Sequence, residues 1–185
     1  THMELIILFV AVIFSFATSL GVGSSTLAIT NFFVAIADGS IDGTERKMMS
    51  VVYVVLRVAM VALFFTLAIL TAYNTYHLGA AAFTPLLFAQ WTILAVLYLN
   101  AILMTLRIMP STFGPSLQAG SWYTLGTLAA LLPLGLTNFT YVQFVLGYIA
   151  MLMLATGLVN GIMAILKSHK KPTPPPATPA TPNQG

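Results

Sequence analysis

Apolar residues fill this chain in long blocks, with short polar or turn-forming stretches between them. The blocks run over about 4–37, 44–73, 84–107, 120–136 and 138–167. A helix needs roughly 20 apolar residues to cross a hydrocarbon core of about 30 Å, within a range of about 17–25. The pattern therefore predicts an all-α, polytopic integral membrane protein, a bundle of about five transmembrane helices over residues 4–167. The predicted connections are "DGSIDG" (38–43), "NTYHLGAAAF" (74–83), "IMPSTFGPSLQA" (108–119) and a tight "TN" (137–138). Thr1, His2 and Met3 read as vector-derived or start residues. Residues 168–185 hold six of the ten prolines and read as a disordered, proline-rich cytoplasmic tail.

Composition agrees with the pattern. The chain is 58% hydrophobic and 6% charged, with a mean hydropathy of +0.94. Soluble domains carry about 25% charged residues. Six of the seven basic residues, Arg46, Lys47, Arg107, Lys167, Lys170 and Lys171, follow the first, third or fifth block. By the positive-inside rule these ends are cytoplasmic, with the N-terminus outside and the C-terminus inside. Tyr73, Tyr76, Phe139 and Tyr141 then fit an outer aromatic belt, and Trp122 and Tyr123 an inner one. The expected setting is a bacterial cytoplasmic membrane, crossed several times.

The first block is long for one crossing: 34 residues make about 51 Å of helix. "GVGSS" (21–25) admits a break, and two crossings are a further alternative. Against a break, Ala17, Gly21, Ser24, Ala28, Asn31 and Ala35 recur at helical spacing and form one small-residue face. The fifth block repeats the device with Gly147, Ala150, Leu154, Gly157, Gly161 and Ala164. Small faces let membrane helices approach closely. Ala17, Gly21, Ser24, Ala28, Gly157 and Gly161 are thus helix-packing candidates. They fit packing of the first helix on the fifth, or a seam with a second copy or a partner membrane subunit.

Candidate chemistry is sparse. The net charge of +3 flanks apolar blocks without forming a patch, which argues against nucleic acid. Without cysteine there is no disulfide, thiolate catalysis or cysteine-ligated metal. With no buried carboxylate, no His–nucleophile pair and no GxSxG motif, no enzyme, cofactor or metal site is expected. "DGSIDGTE" (38–45) resembles half an EF-hand loop, but the first two ligand positions would be Val34 and Ile36. It reads better as a helix end at Gly39 and a capping box from Asp42 to Glu45. "NFT" (138–140) matches a glycosylation sequon but reads as a turn at the membrane surface.

One polar layer remains. Asn31, Asn100 and Asn160 each lie seven residues before an assigned cytoplasmic end, at a shared depth of about 10 Å. "NAILMTLR" (100–107) echoes "NGIMAILK" (160–167) in the same register. Arg57 stands about 10–15 Å in from the same side. It has no Asp or Glu within ten residues, and it ends a face of Arg46, Ser50 and Tyr53. Three roles are open to it: snorkelling to headgroups, a hydrogen-bond hub with the three Asn, or an anion or lipid-headgroup site. Arg57, Tyr53, Asn31, Asn100 and Asn160 are the candidate substrate- or anion-binding residues. Two function classes follow. One is a small channel or carrier for an anionic or polar solute. The other is a membrane scaffold or accessory subunit.

Overall fold

Helix dominates because the apolar blocks have nowhere else to place their backbone hydrogen bonds in lipid. The computed structural model describes residues 2–38, 42–110 and 113–168. Five helices are present: α1 (His2–Asp38), α2 (Gly43–Leu78), α3 (Pro85–Thr105), α4 (Phe113–Leu131) and α5 (Tyr141–Ser168). A 3-10 turn at Gly79–Ala82 joins α2 to α3, and no strand occurs among the described residues. Four helices, α1, α2, α3 and α5, are long and apolar enough to cross a membrane. The described residues are thus helical and connecting segments only, with four helices of the length and composition that multi-pass membrane proteins use. Gly39, His169, Lys170, Lys171 and the rest of the proline-rich tail lie outside the described residues.

Local signals account for most helix ends. Asp42 Oδ1 accepts from Glu45 N at 2.7 Å and Asp42 N donates to Glu45 Oε2 at 3.0 Å, closing the expected capping box on α2. Thr140 and Gln143 form the same reciprocal pair at the start of α5, at 2.8 and 3.2 Å. Thr140, read from the sequence as part of a surface turn, is therefore a helix cap. The C-terminus of α3 closes on Arg107, whose φ of 57° lies in the left-handed region. Ile108 N donates to Leu103 O at 3.0 Å there, as a Schellman end requires.

One expectation holds against its alternatives, and two need correction. First, α1 is one unbroken helix through Gly21–Ser25, so the broken and two-crossing alternatives do not hold. Its 37 residues span about 56 Å. Second, α4 begins at Phe113, seven residues before the expected start, and "TN" is no tight link, since α5 starts only at Tyr141. Pro110 and Pro115 suggested a loop. Yet Pro110 precedes the helix and Pro115 sits in its first turn, where a missing N–H costs nothing. Third, Trp122 is not an interfacial aromatic. It is fully buried in the core, while Tyr123 donates to or accepts from Thr26 across to α1 at 2.8 Å.

The core forms around α4, whose buried face is rich in small and hydroxyl residues. Gly114, Ser116, Ala119, Gly120, Ser121, Trp122, Leu125 and Leu128 are buried along it. Its small residues permit close neighbours: a Cβ at Gly120 would meet Leu152 at 2.9 Å, and one at Gly126 would meet Val22 at 3.0 Å. On the facing side, a Cβ at Gly21 of α1 would fall 2.0 Å from the Trp122 ring. Several helix pairs are then tied by a side-chain hydrogen bond, the usual device where lipid offers no hydrophobic drive to association. Trp91 Nε1 donates to Thr71 Oγ1 (3.2 Å), Thr92 pairs with Tyr141 (2.8 Å), and Ser121 pairs with Tyr148 (2.7 Å).

Candidate functional site

The face Arg46, Ser50, Tyr53, Arg57 exists as expected, because α2 runs without a break beneath it. Arg57 sits 14 residues into α2, about 21 Å along its axis. Its side chain is exposed and lines a cavity of about 220 Å³ where α1, α2, α3 and α4 meet. That space holds several waters or a small anion. Ser25, Ala28, Ile29 and Phe32 of α1 form one wall. Tyr53, Leu56 and Met60 of α2, Ala101, Met104 and Thr105 of α3, and Pro115 and Gln118 of α4 form the rest. Most of the lining is apolar. Arg57 is its sole cation, and it has no carboxylate or hydrogen-bond partner among the described residues.

The asparagines divide. Asn100 is 1% exposed and stands just behind the cavity. Its Nδ2 donates to Gly114 O and to Gln118 Oε1, both at 3.0 Å, and so locks the start of α4 to α3. Gln118 carries that lock into the cavity wall. Asn31 lies on α1 between the lining residues Ile29 and Phe32. Asn31 Nδ2 and Asn100 Oδ1 are both buried without a partner among the described residues. Asn160 takes no part, for it is exposed on α5, which contributes nothing to the cavity. Shared depth does not fix the direction a residue faces. On α5 the bulkier line of Phe144, Tyr148, Val159 and Met163 is buried, which turns Asn160 outward.

The two small-residue stripes divide as well. Ala17, Gly21 and Ser24 are buried and Ala28 lines the cavity, so the α1 stripe packs inward, with Trp122 of α4 against Gly21. The α5 stripe does not meet it. Gly157 and Gly161 have open space where a Cβ would stand, and both are exposed. α1 and α5 do touch, but not through matched small faces: the Gly157–Gly161 stripe stays open, and the α1 stripe packs Gly21 against Trp122 of α4.

Gly114 and Gln118 were missed from sequence because their segment, 108–119, read as a connection. A signal was present. Gly114, Gly120 and Gly126 recur every six residues among Ser116, Ser121 and Thr124, a composition that suits an interior membrane helix better than a loop. Comparison with family models, with curated proteins and with solved structures finds no match for this chain.

Proposed function

We propose that this chain is a non-enzymatic, multi-pass protein of a cell membrane, a small channel or carrier whose Arg57 cleft takes an anionic or polar solute. The supporting observation is an arginine without a partner lining a cavity between four helices. An arginine at the centre of a membrane helix costs about 2.5–3.5 kcal/mol or more. A purely structural residue would offset that with a carboxylate or a set of carbonyls, and Arg57 has neither among the described residues. Its planar fork of donors suits a carboxylate, phosphate or smaller anion.

The orientation belongs to the same proposal. The charge asymmetry places Arg46 and Arg107 at the cytoplasmic face, so the cleft opens inward. Cysteine substitutions report this directly, since the chain has no native thiol. Tyr76→Cys should react with an impermeant thiol reagent from outside and Ile108→Cys from inside. The reverse pattern would overturn the assignment.

For transport, the test is flux. Liposomes containing the wild-type chain should release trapped chloride or inorganic phosphate. Arg57→Met should slow that release by at least about tenfold, the weight of one charge-assisted hydrogen bond. Equal rates for the two proteins would remove the transport reading.

A second reading, a scaffold or accessory subunit with no transport activity, draws on the exposed Gly157–Gly161 stripe of α5. In that case the stripe is a seam with a second copy or a partner membrane subunit. Gly157→Leu should then shrink the particle in detergent without lowering its melting temperature.

A further inference from the structure

We infer that the anion held at Arg57 is the headgroup of a lipid, an anionic phospholipid whose chain lies in the groove between α2 and α3. This rests on the anion-site reading above and names the ligand's class.

Arg57 stands where three depressions meet. One is the interior cavity already described. A second, on the outer surface between α2 and α3, is lined by Met60, Val61, Tyr98, Ala101, Ile102 and Leu106, with Thr105 beside Arg57. The third runs along α2 from Arg57 past Tyr53 and Ser50 to Arg46. Polarity is divided between the two outer grooves. The one along α2 carries two guanidiniums and two hydroxyls, and the one between α2 and α3 is almost wholly apolar. A single ligand filling both must be anionic at one end and hydrocarbon at the other.

Charge complementarity supports the same occupant. Neither Arg46 nor Arg57 has an ion-pair partner among the described residues. Side chains on a helix lean toward its N-terminus, which brings the Arg57 guanidinium toward Tyr53 and Ser50. These three groups can hold a phosphate together. Arg46, about 16 Å further along the axis, adds attraction for an anionic membrane surface. A free inorganic ion fits less well. It could use the polar groups of the interior cavity but would leave the apolar groove between α2 and α3 empty. A lipid phosphate reaches this depth with its chain already in apolar surroundings.

The test uses the full chain in detergent with three probes: dioleoyl phosphatidylglycerol, dioleoyl phosphatidylcholine and inorganic phosphate. Native mass spectrometry counts retained lipid, and melting curves report all three. Wild type should keep the phosphatidylglycerol at least about tenfold better than the phosphatidylcholine, and Arg57→Met should erase that preference. Val61→Trp fills the apolar groove at a position 48% exposed. It should leave the lipid-free melting temperature unchanged and still lower retention of phosphatidylglycerol. If inorganic phosphate stabilises wild type as well as the lipid does, and Val61→Trp changes nothing, the lipid inference falls while the anion site stands. If Arg57→Met alters the response to none of the three probes, both fall.

Discussion

Gly21→Leu should abolish the native packing of the bundle, lowering stability by at least about 3 kcal/mol, the upper end of ordinary overpacking. The added Cβ alone would stand 2.0–2.4 Å from three atoms of the Trp122 ring. That ring is rigid and fully buried, so it cannot swing aside as the tip of a flexible side chain would. α1 must lift from α4, and the Thr26–Tyr123 hydrogen bond would go with it. In a chain of this size the loss corresponds to roughly 6–12 °C in melting temperature, readable by circular dichroism in detergent. Trp122→Leu should partly rescue the Gly21→Leu protein although it destabilises the wild type. Gly157→Leu is the matched control, because its Cβ meets nothing. A Gly21→Leu protein that melts like wild type would show that α1 and α4 do not pack here.

Asn100→Asp is expected to be nearly as damaging. The wild-type amide donates to two acceptors, Gly114 O and Gln118 Oε1, from a site 1% exposed. A carboxylate of the same shape would press oxygen against oxygen in both places. Ionised, it carries the cost of a charge at a helix centre, about 2.5–3.5 kcal/mol. Protonated, it has one donor for two acceptors. Asn100→Leu should be milder, near the 0.6 to 1.7 kcal/mol or so measured for membrane hydrogen bonds. Because Gln118 also lines the cavity, both variants should weaken any response to anions at Arg57. A melting temperature unchanged in Asn100→Asp would mean that the amide does not hold α4 to α3.

How far these features can be read from the amino acids depends on the kind of information each one needs. Long apolar blocks require helix in lipid, so four helices long and apolar enough to cross a membrane and the Asp42–Glu45 cap were legible directly. The expected fifth span, α4, is not among those four. The α1 stripe was legible as a packing face because Gly21 and its neighbours recur at helical spacing. Its partner was not. A small face says that something comes close, and only the bulk of Trp122 opposite shows what. α4 was blurred by two prolines and by serines and glycines that elsewhere signal a loop; among neighbouring helices those residues form an interior surface. For the candidate site, Arg57 and Tyr53 could be joined from one helix face, since both lie on α2. Asn160 could not be placed, because counting residues from a helix end gives depth and leaves the facing direction open.

The central claim is that Arg57 is an uncompensated cation kept for a ligand and not for the fold. Melting of the wild type and of Arg57→Met, each with and without saturating anion, tests it most directly. Inorganic phosphate and phosphatidylglycerol serve as the two anions. A ligand at a hundred times its dissociation constant stabilises by about 2.7 kcal/mol. The wild type should therefore melt several degrees higher with at least one of them. Arg57→Met should melt at or above the ligand-free wild type and respond to neither. An Arg57→Met protein that melts well below the wild type, beside a wild type indifferent to both anions, would make Arg57 a structural residue and contradict the account.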